Sequence, residues 1–338
     1  MALKNALVLS GGGAKGAFQV GVLDVLIGER GLDFQVLCGV SVGALNAASL
    51  AQARFDARKP AASLENLREE LAKLKRLWLE EIKGNGSIYS KGLLSEAGAI
   101  LGADSIYKPT GLRKLLKERL DPQRVIDSGR KLRIGLVNLE TGQYQTAKGD
   151  PDHADQLRDQ VLASATMPFY FPPVPLEGSG WADGGLRNIT PLAEAFVEKP
   201  DSIYAVFTSP LGRRLPGEKI EQGFLGLKAN AFTFLGRSVQ ILVDEVYNTD
   251  VEGAADWNAV IQAWKKARTS VPKSAAKSRL DKVILRKHYA DLHLIEPRDP
   301  AAVAYAPLDF SPANLKRAFE HGQEVARMLP VREGPPKV

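Results

Sequence analysis

Short apolar runs alternate with helical patterns at the start of the chain. Residues 6–9 and 34–40 are apolar, and each run leads through a glycine-containing turn into a helical stretch, over residues 17–28 and 44–53. Two strand–helix units with tight connections are typical of a mainly parallel sheet covered by helices. Leucines spaced three and four residues apart predict an amphipathic helix over residues 62–82.

The same pattern divides the whole chain into three parts. Further strands are predicted over residues 132–138, 142–146, 202–208 and 291–295. A final helix is predicted with Ser311 as its N-cap and Pro312 in its first turn, ending near residue 329. Apolar residues at helical spacing fill much of the stretch between residues 212 and 287. We therefore predict a catalytic core over residues 1–211, a helical, basic insertion over residues 212–287, and a strand and helix over residues 288–338 that complete the core.

The composition is that of an ordinary globular protein. Of the 338 residues, 44% are hydrophobic and 25% charged, which excludes a wholly disordered chain, a collagen-like repeat and a disulfide-stapled miniprotein. Cys38 is the single cysteine, no apolar run approaches the roughly 20 residues that span a bilayer, and the first residues resemble a strand more than a signal peptide. We expect a cytoplasmic protein.

The positive charge is concentrated in one segment. Residues 265–287 contain nine basic residues and one acid, Asp281, so this segment carries +8 and the rest of the chain sums to −2. No nucleic-acid motif accompanies the segment. Together with Trp257 and Trp264 and the helical stripe from Phe232 to Val246, it suggests an element that contacts a membrane. The alternative is that the stripe packs on the core and the charges are solvated.

The first glycine-rich motif is Gly11-Gly12-Gly13-Ala14-Lys15-Gly16, between the first strand and the first helix. Such a loop turns backbone N–H groups toward one point, where they can hold a phosphate or an oxyanion. It also matches the G-x-G-x-x-G fingerprint of dinucleotide-binding proteins, so an oxidoreductase using Gly11, Gly13 and Gly16 is one alternative. A loop that merely needs glycine flexibility is another.

The second motif, Gly39-Val40-Ser41-Val42-Gly43, favours acyl transfer. It matches G-x-S-x-G and lies between an apolar strand and an Ala-rich helix, the context in which a nucleophile elbow exposes its serine. A dinucleotide enzyme instead requires an acidic residue at the end of this strand. Asp33 precedes the strand, so the fingerprint lacks its second half.

Ser41 requires a base, and Asp183 is the best candidate. None of the four histidines, His153, His288, His293 and His321, has a catalytic context in the sequence. Asp183 is followed by Gly184 and Gly185, so a tight turn can present its carboxylate with little steric cover. A carboxylate within hydrogen-bond distance of Ser41 Oγ can accept its proton and later activate water. The alternative is an ordinary surface turn.

The three motifs, in this order, resemble the patatin-like phospholipase family. The resemblance covers residues 5–53 and 130–210, including Ala163–Pro173 and Asp183–Pro191, whereas residues 212–287 have no assigned counterpart. It implies a three-layer α/β/α fold with a mainly parallel central sheet, and a Ser-Asp dyad without histidine, metal or cofactor.

The resemblance also implies a role for individual residues. Ser41 is the expected nucleophile, Asp183 the general base, and the N–H groups around Gly11, Gly12 and Gly13 the oxyanion hole. Ser10 stands where many family members have Asp, and we do not expect it to be catalytic. Lys15 either adds positive charge near the oxyanion hole or a lipid phosphate, or is a solvated loop residue.

The expected function is hydrolysis of fatty-acyl esters of phospholipids, lysophospholipids or related lipids through an acyl-enzyme. Two alternatives stay open: the dinucleotide-binding oxidoreductase, and a catalytically silent lipid-binding protein. The expected partners are a lipid or acyl-ester substrate and, through residues 257–287, the membrane surface, with no nucleic acid. The sequence does not fix the oligomeric state.

Overall fold

The computed structural model describes residues 4–91, 105–210, 253–284, 288–298 and 308–330. Its strands are β1 (Asn5–Leu9), β2 (Val36–Val40), β3 (Ser90–Lys91), β4 (Tyr107–Lys108), β5 (Lys131–Asn138), β6 (Tyr144–Lys148), β7 (Val174–Leu176), β8 (Ser179–Asp183), β9 (Ser202–Val206) and β10 (Asp291–Ile295). Eight of these form one sheet, and β3 and β4 form a small antiparallel pair.

The helices of the described segments are α1 (Gly16–Leu23), α2 (Val42–Leu50), α3 (Pro60–Arg76), α4 (Thr110–Arg119), α5 (Pro122–Asp127), α6 (Leu157–Ser164), α7 (Leu192–Val197), α8 (residues 253–267), α9 (Ala275–Ile284) and α10 (Pro312–Arg327). Asp24–Glu29 and Leu77–Glu81 continue α1 and α3 as wider π-helical turns. Within the described part of the chain, no helix is both long and apolar enough to cross a membrane.

The main sheet is parallel through its centre and antiparallel at one side. Its order is β10-β9-β1-β2-β5-β8-β7, with β6 also paired to β5. The first five strands of this order are parallel neighbours, whereas β6 and β8 run antiparallel to β5. The strand order reverses at β1, and ligands of open α/β sheets bind outside the carboxyl ends of the strands at such a point.

Both faces of the sheet are buried. Alternate residues of β1 belong to different cores: Leu7 and Leu9 pack with α1, α2 and α3, whereas Ala6 and Val8 pack with α7 on the other face. This period of two, apolar on both faces, is expected for a parallel sheet between helices. The structure therefore confirms the predicted three-layer α/β/α architecture.

The C-terminal helix packs closely on the first helix. A Cβ added at Gly21 of α1 would lie 2.0 Å from the Phe319 carbonyl oxygen, and one at Gly322 of α10 would lie 2.1 Å from the Phe18 carbonyl oxygen. Reciprocal glycines thus let the two backbones approach. Because β10 also pairs with β9, the chain after residue 288 contributes both a strand and a helix to this layered structure.

The predicted elements agree with the structure except near their ends. The predicted strand over residues 142–146 is β6, shifted to Tyr144–Lys148, and that over residues 202–208 ends at Val206. The final helix begins at Pro312 after Ser311, whose side chain makes no capping hydrogen bond. Residues 212–252, including the predicted helix from Phe232 to Val246, lie outside the described residues.

Candidate active site

Ser41 lies at the sharp turn between β2 and α2. Its backbone has φ 56° and ψ −128°, a left-handed conformation that is costly for a residue with a side chain. The Ser41 N–H donates to Ser164 Oγ at 3.0 Å, and Ser164 Oγ donates to the Gly135 carbonyl oxygen at 2.7 Å. The strained turn is therefore anchored to α6 and β5 on its far side.

The two glycines of the motif are required by close backbone contacts. A Cβ at Gly39 would lie 2.3 Å from the Gly43 carbonyl oxygen, and a Cβ at Gly43 would lie 2.1 Å from the Leu9 carbonyl oxygen. Both distances are far below van der Waals contact with backbone atoms that have little freedom to move. The G-x-S-x-G spacing therefore follows from the fit of the elbow against β1 and α2.

Asp183 ends β8 and is completely buried. Its backbone N–H donates to the Thr166 carbonyl oxygen at 3.1 Å, and its Oδ1 accepts the Gly185 N–H at 2.8 Å. A Cβ at Gly184 would lie 2.5 Å from the Gly135 carbonyl oxygen, so this glycine is also required by a close approach. The Asp-Gly-Gly turn is thus an interior feature, and the surface-turn interpretation is wrong.

Burial raises the pKa of Asp183 to about 7, while the Ser41 hydroxyl and the Gly185 N–H oppose that rise. The Asp183 Oδ2 accepts no hydrogen bond from the described residues, although the Ser41 hydroxyl is near enough to lower the carboxyl pKa. The two side chains are thus neighbours in a geometry looser than a formed hydrogen bond. Catalytic hydrogen bonds often tighten only when substrate binds.

The glycine-rich loop presents fewer N–H groups than expected. The Gly11 N–H donates to the Ile189 carbonyl oxygen at 3.1 Å, so it is already engaged. Gly12 and Gly13 have φ 152° and 59°, respectively. Neither of their N–H groups donates a hydrogen bond to another described residue. Gly13 lines a cavity together with Ser41. Of the three N–H groups in the predicted oxyanion hole, those of Gly12 and Gly13 therefore stay candidates for binding an oxyanion.

Two hydroxyl side chains hold this loop in place. Ser10 Oγ accepts the Thr208 N–H at 3.1 Å and donates to the Gly11 carbonyl oxygen at 3.2 Å, and Thr208 Oγ1 donates to the same oxygen. A Cβ at Gly12 would lie 2.0 Å from Thr208 Oγ1. Sequence reasoning missed Thr208, and the available signal was its position just after a parallel strand beside β1.

Lys15 is engaged rather than simply solvated. Its Nζ donates to Ser209 Oγ at 3.1 Å, in a partly buried contact. Lys15 thus lies between the glycine-rich loop and the loop after β9. Gly16, at the start of α1, has no room for a side chain, because a Cβ there would lie 2.3 Å from Val42 Cγ2.

A buried polar chain links the glycine-rich loop to the elbow helix. Gln19 Nε2 donates to the Ser10 carbonyl oxygen at 2.8 Å, Asn46 Nδ2 donates to Gln19 Oε1 at 2.9 Å, and Trp78 Nε1 donates to Asn46 Oδ1 at 2.9 Å. Fully satisfied buried networks fix relative positions. Sequence reasoning missed all three residues, which carry no motif of their own.

The histidines and Asp33 have partners elsewhere. His153 contacts Asp150, His288 the Pro200 carbonyl oxygen, His293 stacks on Tyr204, and His321 accepts the Arg298 N–H. Asp33 pairs with the buried Arg130 at 2.6 Å. None of these residues lines the cavity at Ser41 in the described segments. Asp33 is therefore engaged away from the end of β2.

A deep apolar cavity opens at Ser41. It is lined mainly by leucines, most of them on α2, α3 and α4, and by isoleucine and aromatic side chains of the connecting segments, with Ser41, Gly13 and Arg119 also in the lining. The centres of water-sized spheres can occupy about 100 Å³ of it. An apolar cavity beside a nucleophile suits a long aliphatic group.

The chain was compared with protein families, curated proteins and solved structures. Residues 7–196 match the model of the family described as patatin-like phospholipase. The chain is 27% identical over 263 residues to a cGAMP-activated phospholipase of Pseudomonas aeruginosa (strain BWHPSA011 / Pa011), an alignment that covers 72% of this chain and 74% of that protein. It is similar, at 16% identity and a TM-score of 0.42, to the crystal structure of VipD from Legionella pneumophila, covering 96% of this chain and 66% of that one.

Proposed function

Because the chain belongs to the patatin-like phospholipase family and is a lipid acyl hydrolase, we propose that Ser41 and Asp183 form its catalytic dyad. The substrates are fatty-acyl esters of phospholipids, lysophospholipids or related lipids. The observation that carries the proposal is a fully buried carboxyl, with its pKa raised to about 7, beside a serine on a strained elbow. Strained backbone and matched pKa values cluster at active sites.

In the first half of the reaction, Ser41 Oγ attacks the ester carbonyl carbon while Asp183 accepts the hydroxyl proton. Negative charge develops on the carbonyl oxygen, and the Gly12 and Gly13 N–H groups donate to it. One such donor typically lowers the barrier by about 3 kcal/mol. The amino end of α2 adds a favourable dipole. The alcohol leaves with the proton from Asp183, and the acyl group stays on Ser41.

In the second half, Asp183 takes a proton from water, and the resulting hydroxide attacks the acyl-enzyme. The same N–H groups stabilise the second oxyanion, and Ser41 regains its proton from Asp183 as the fatty acid departs. A base with a pKa near 7 suits both steps, because about half of it is ionised at pH 7 and it is still basic enough to take a proton. No step requires a metal or an organic cofactor.

Hydrolysis of a p-nitrophenyl acyl ester series tests the dyad. We expect turnover by the wild type and a loss of about a thousandfold or more in Ser41→Ala and Asp183→Asn. Asp152→Asn, an exposed carboxylate change, is the matched control and keeps wild-type turnover. Hydrolysis that persists in Ser41→Ala contradicts the proposal.

The same assay tests whether an activator is required. That protein is named as activated by cGAMP, so cGAMP is the first activator to test, and each reaction is run with and without it. Phospholipid vesicles replace the soluble ester if the ester is inert. A wild type that is silent on both substrates, with and without cGAMP, contradicts hydrolysis by this chain.

We also propose that the α8–α9 hairpin contacts anionic membrane surfaces. Within the described residues, Trp257, Val260, Leu280 and Val283 are exposed apolar side chains on its two helices, and residues 265–287 carry a charge of +8. Cationic helices with exposed tryptophan bind anionic interfaces.

The hairpin changes the expected role of Trp264. Its Nε1 donates to Asp281 Oδ1 at 2.9 Å, and Arg268 pairs with the same carboxylate at 3.2 Å. Asp281, the lone acid of the basic segment, therefore joins α8 to α9. Of the two tryptophans Trp257 and Trp264, Trp257 is the more exposed, with a relative exposure of 42%.

A further inference from the structure

The apolar cavity has a direction set by the elbow helix. Ser41 precedes α2, and Leu45, Ala48 and Ser49 follow at positions that share one face of that helix. Leu74 and Trp78 approach from α3 and the turn that continues it, and Leu112 and Leu116 from α4. A chain attached to Ser41 and lying in this cavity would therefore run alongside α2, away from the nucleophile.

Ala48 is the smallest side chain on the α2 wall beyond the first turn. It lies seven residues after Ser41, which corresponds to ~10 Å along a helix axis. It is 1% exposed and borders the cavity. A larger side chain at this position would occupy space that an extended acyl chain needs, because protein interiors leave few voids to absorb extra methylenes.

Charged and polar groups border the cavity near the end of α4. Arg119 borders it and donates from its guanidinium to Glu81 Oε2 at 2.6 Å. Gln52 Nε2 donates to the Arg119 carbonyl oxygen at 3.1 Å. Methylene groups gain burial against leucine but gain little against an ion pair that is half open to water. The favourable path for an aliphatic chain therefore ends at this pair.

We propose that Ala48 and the Arg119–Glu81 ion pair determine the length of acyl chain that this enzyme accepts. Ala48 keeps the passage open beyond the first turns of α2, and the ion pair ends it. The inference rests on the proposed function of Ser41, since it places the acyl carbonyl there. It predicts that substitutions at Ala48 and at Arg119 shift the preferred acyl-chain length in opposite directions.

The test compares kcat/KM for p-nitrophenyl butyrate, octanoate and palmitate. In Ala48→Leu we expect the palmitate-to-butyrate ratio to fall tenfold or more, because several methylenes lose their apolar contacts. In Arg119→Ala we expect the ratio to rise a few-fold. Lys117→Ala, an exposed charge removal on the same helix, is the matched control and leaves the ratio unchanged.

Thermal unfolding of each variant separates altered specificity from misfolding. If Ala48→Leu does not fold, Ala48→Val and the exposed Arg119→Ala carry the test. An unchanged ratio in the folded Ala48 and Arg119 variants, with wild-type turnover intact, overturns this inference alone. A wild type that hydrolyses none of the esters or vesicles instead contradicts the proposed function.

Discussion

The elbow at Ser41 and the α8–α9 hairpin are held together in different ways. At the elbow, backbone atoms meet so closely that glycine is required at Gly39 and Gly43. In the hairpin, the two helices meet through side chains around Asp281, and a Cβ at Gly253 would contact no described residue within 4 Å. Geometry at the elbow is therefore sensitive to one methyl group, whereas the hairpin should respond to charge and salt.

The largest effect we expect comes from a matched pair of glycine substitutions. Gly43→Ala places a methyl group 2.1 Å from the Leu9 carbonyl oxygen, so we expect no folded, active protein. Gly253→Ala adds a methyl group to α8 that meets none of the residues the structure describes, and it should retain the wild-type melting temperature or exceed it slightly. Thermal unfolding and ester hydrolysis measure both. A folded, active Gly43→Ala variant would remove the contrast between the two regions.

The second-largest expected effect is on the free energy of unfolding, which burial of the Asp183 carboxyl lowers at high pH. Asp183 has a pKa near 7 when folded and near 3.9 when unfolded, so between these values the folded state binds the extra proton and stability falls as pH rises. Asp183→Asn removes this cost. We expect it to be more stable than the wild type at pH 8, by up to about 4 kcal/mol, with the gain shrinking toward pH 4.

Urea unfolding at both pH values measures that difference, and the exposed Asp152→Asn serves as control. Carboxylates on the surface are already solvated, so this control should show no such pH-dependent gain. Equal stability of Asp183→Asn and wild type at pH 8 would mean that the buried carboxyl carries little cost.

The pH dependence of turnover gives a smaller but more specific effect. Asp183 accepts a proton only when ionised, so kcat/KM should rise with pH and level off above about 7. At pH 5 we expect roughly a hundredfold lower kcat/KM, tenfold for each pH unit below the pKa. A profile that is flat from pH 5 to 8 would exclude Asp183 as the base.

The smallest effect concerns the hairpin. Trp257→Ala should weaken binding to vesicles containing phosphatidylglycerol a few-fold, and added salt should weaken it further because the Debye length shortens. Trp264→Phe, which removes the N–H donor to Asp281 and keeps an aromatic ring, is the comparison. Hydrolysis of a soluble ester should persist in Trp257→Ala. Vesicle binding that is unchanged by both Trp257→Ala and salt would contradict the membrane contact.

The sequence predicts positions that close backbone contacts restrict better than positions that are held by side-chain hydrogen bonds. Gly39, Gly43 and Gly184 were predictable because close backbone approach admits only glycine and therefore produces motifs. Ser164 and Thr208 were not, since many serines and threonines fit a hydrogen-bonding role equally well. The engagement of the Gly11 N–H by Ile189 depends on a contact between segments far apart in the sequence.

The cavity was also beyond sequence reasoning. Leu112 and Leu116 form an ordinary apolar stripe on α4, and such a stripe predicts core packing. Only the arrangement of α4 against α2 reveals that the stripe borders open space. Trp264 is a similar case. The basic segment beside it suggested a membrane interface, whereas its N–H donates to Asp281 and so joins two helices.

Covalent labelling with a fluorophosphonate tests most directly whether Ser41 is the nucleophile. After digestion and mass spectrometry, we predict a single phosphonyl adduct on the peptide that contains Ser41, absent from Ser41→Ala and formed far more slowly in Asp183→Asn. An adduct on another residue, or one that persists in Ser41→Ala, would contradict the account.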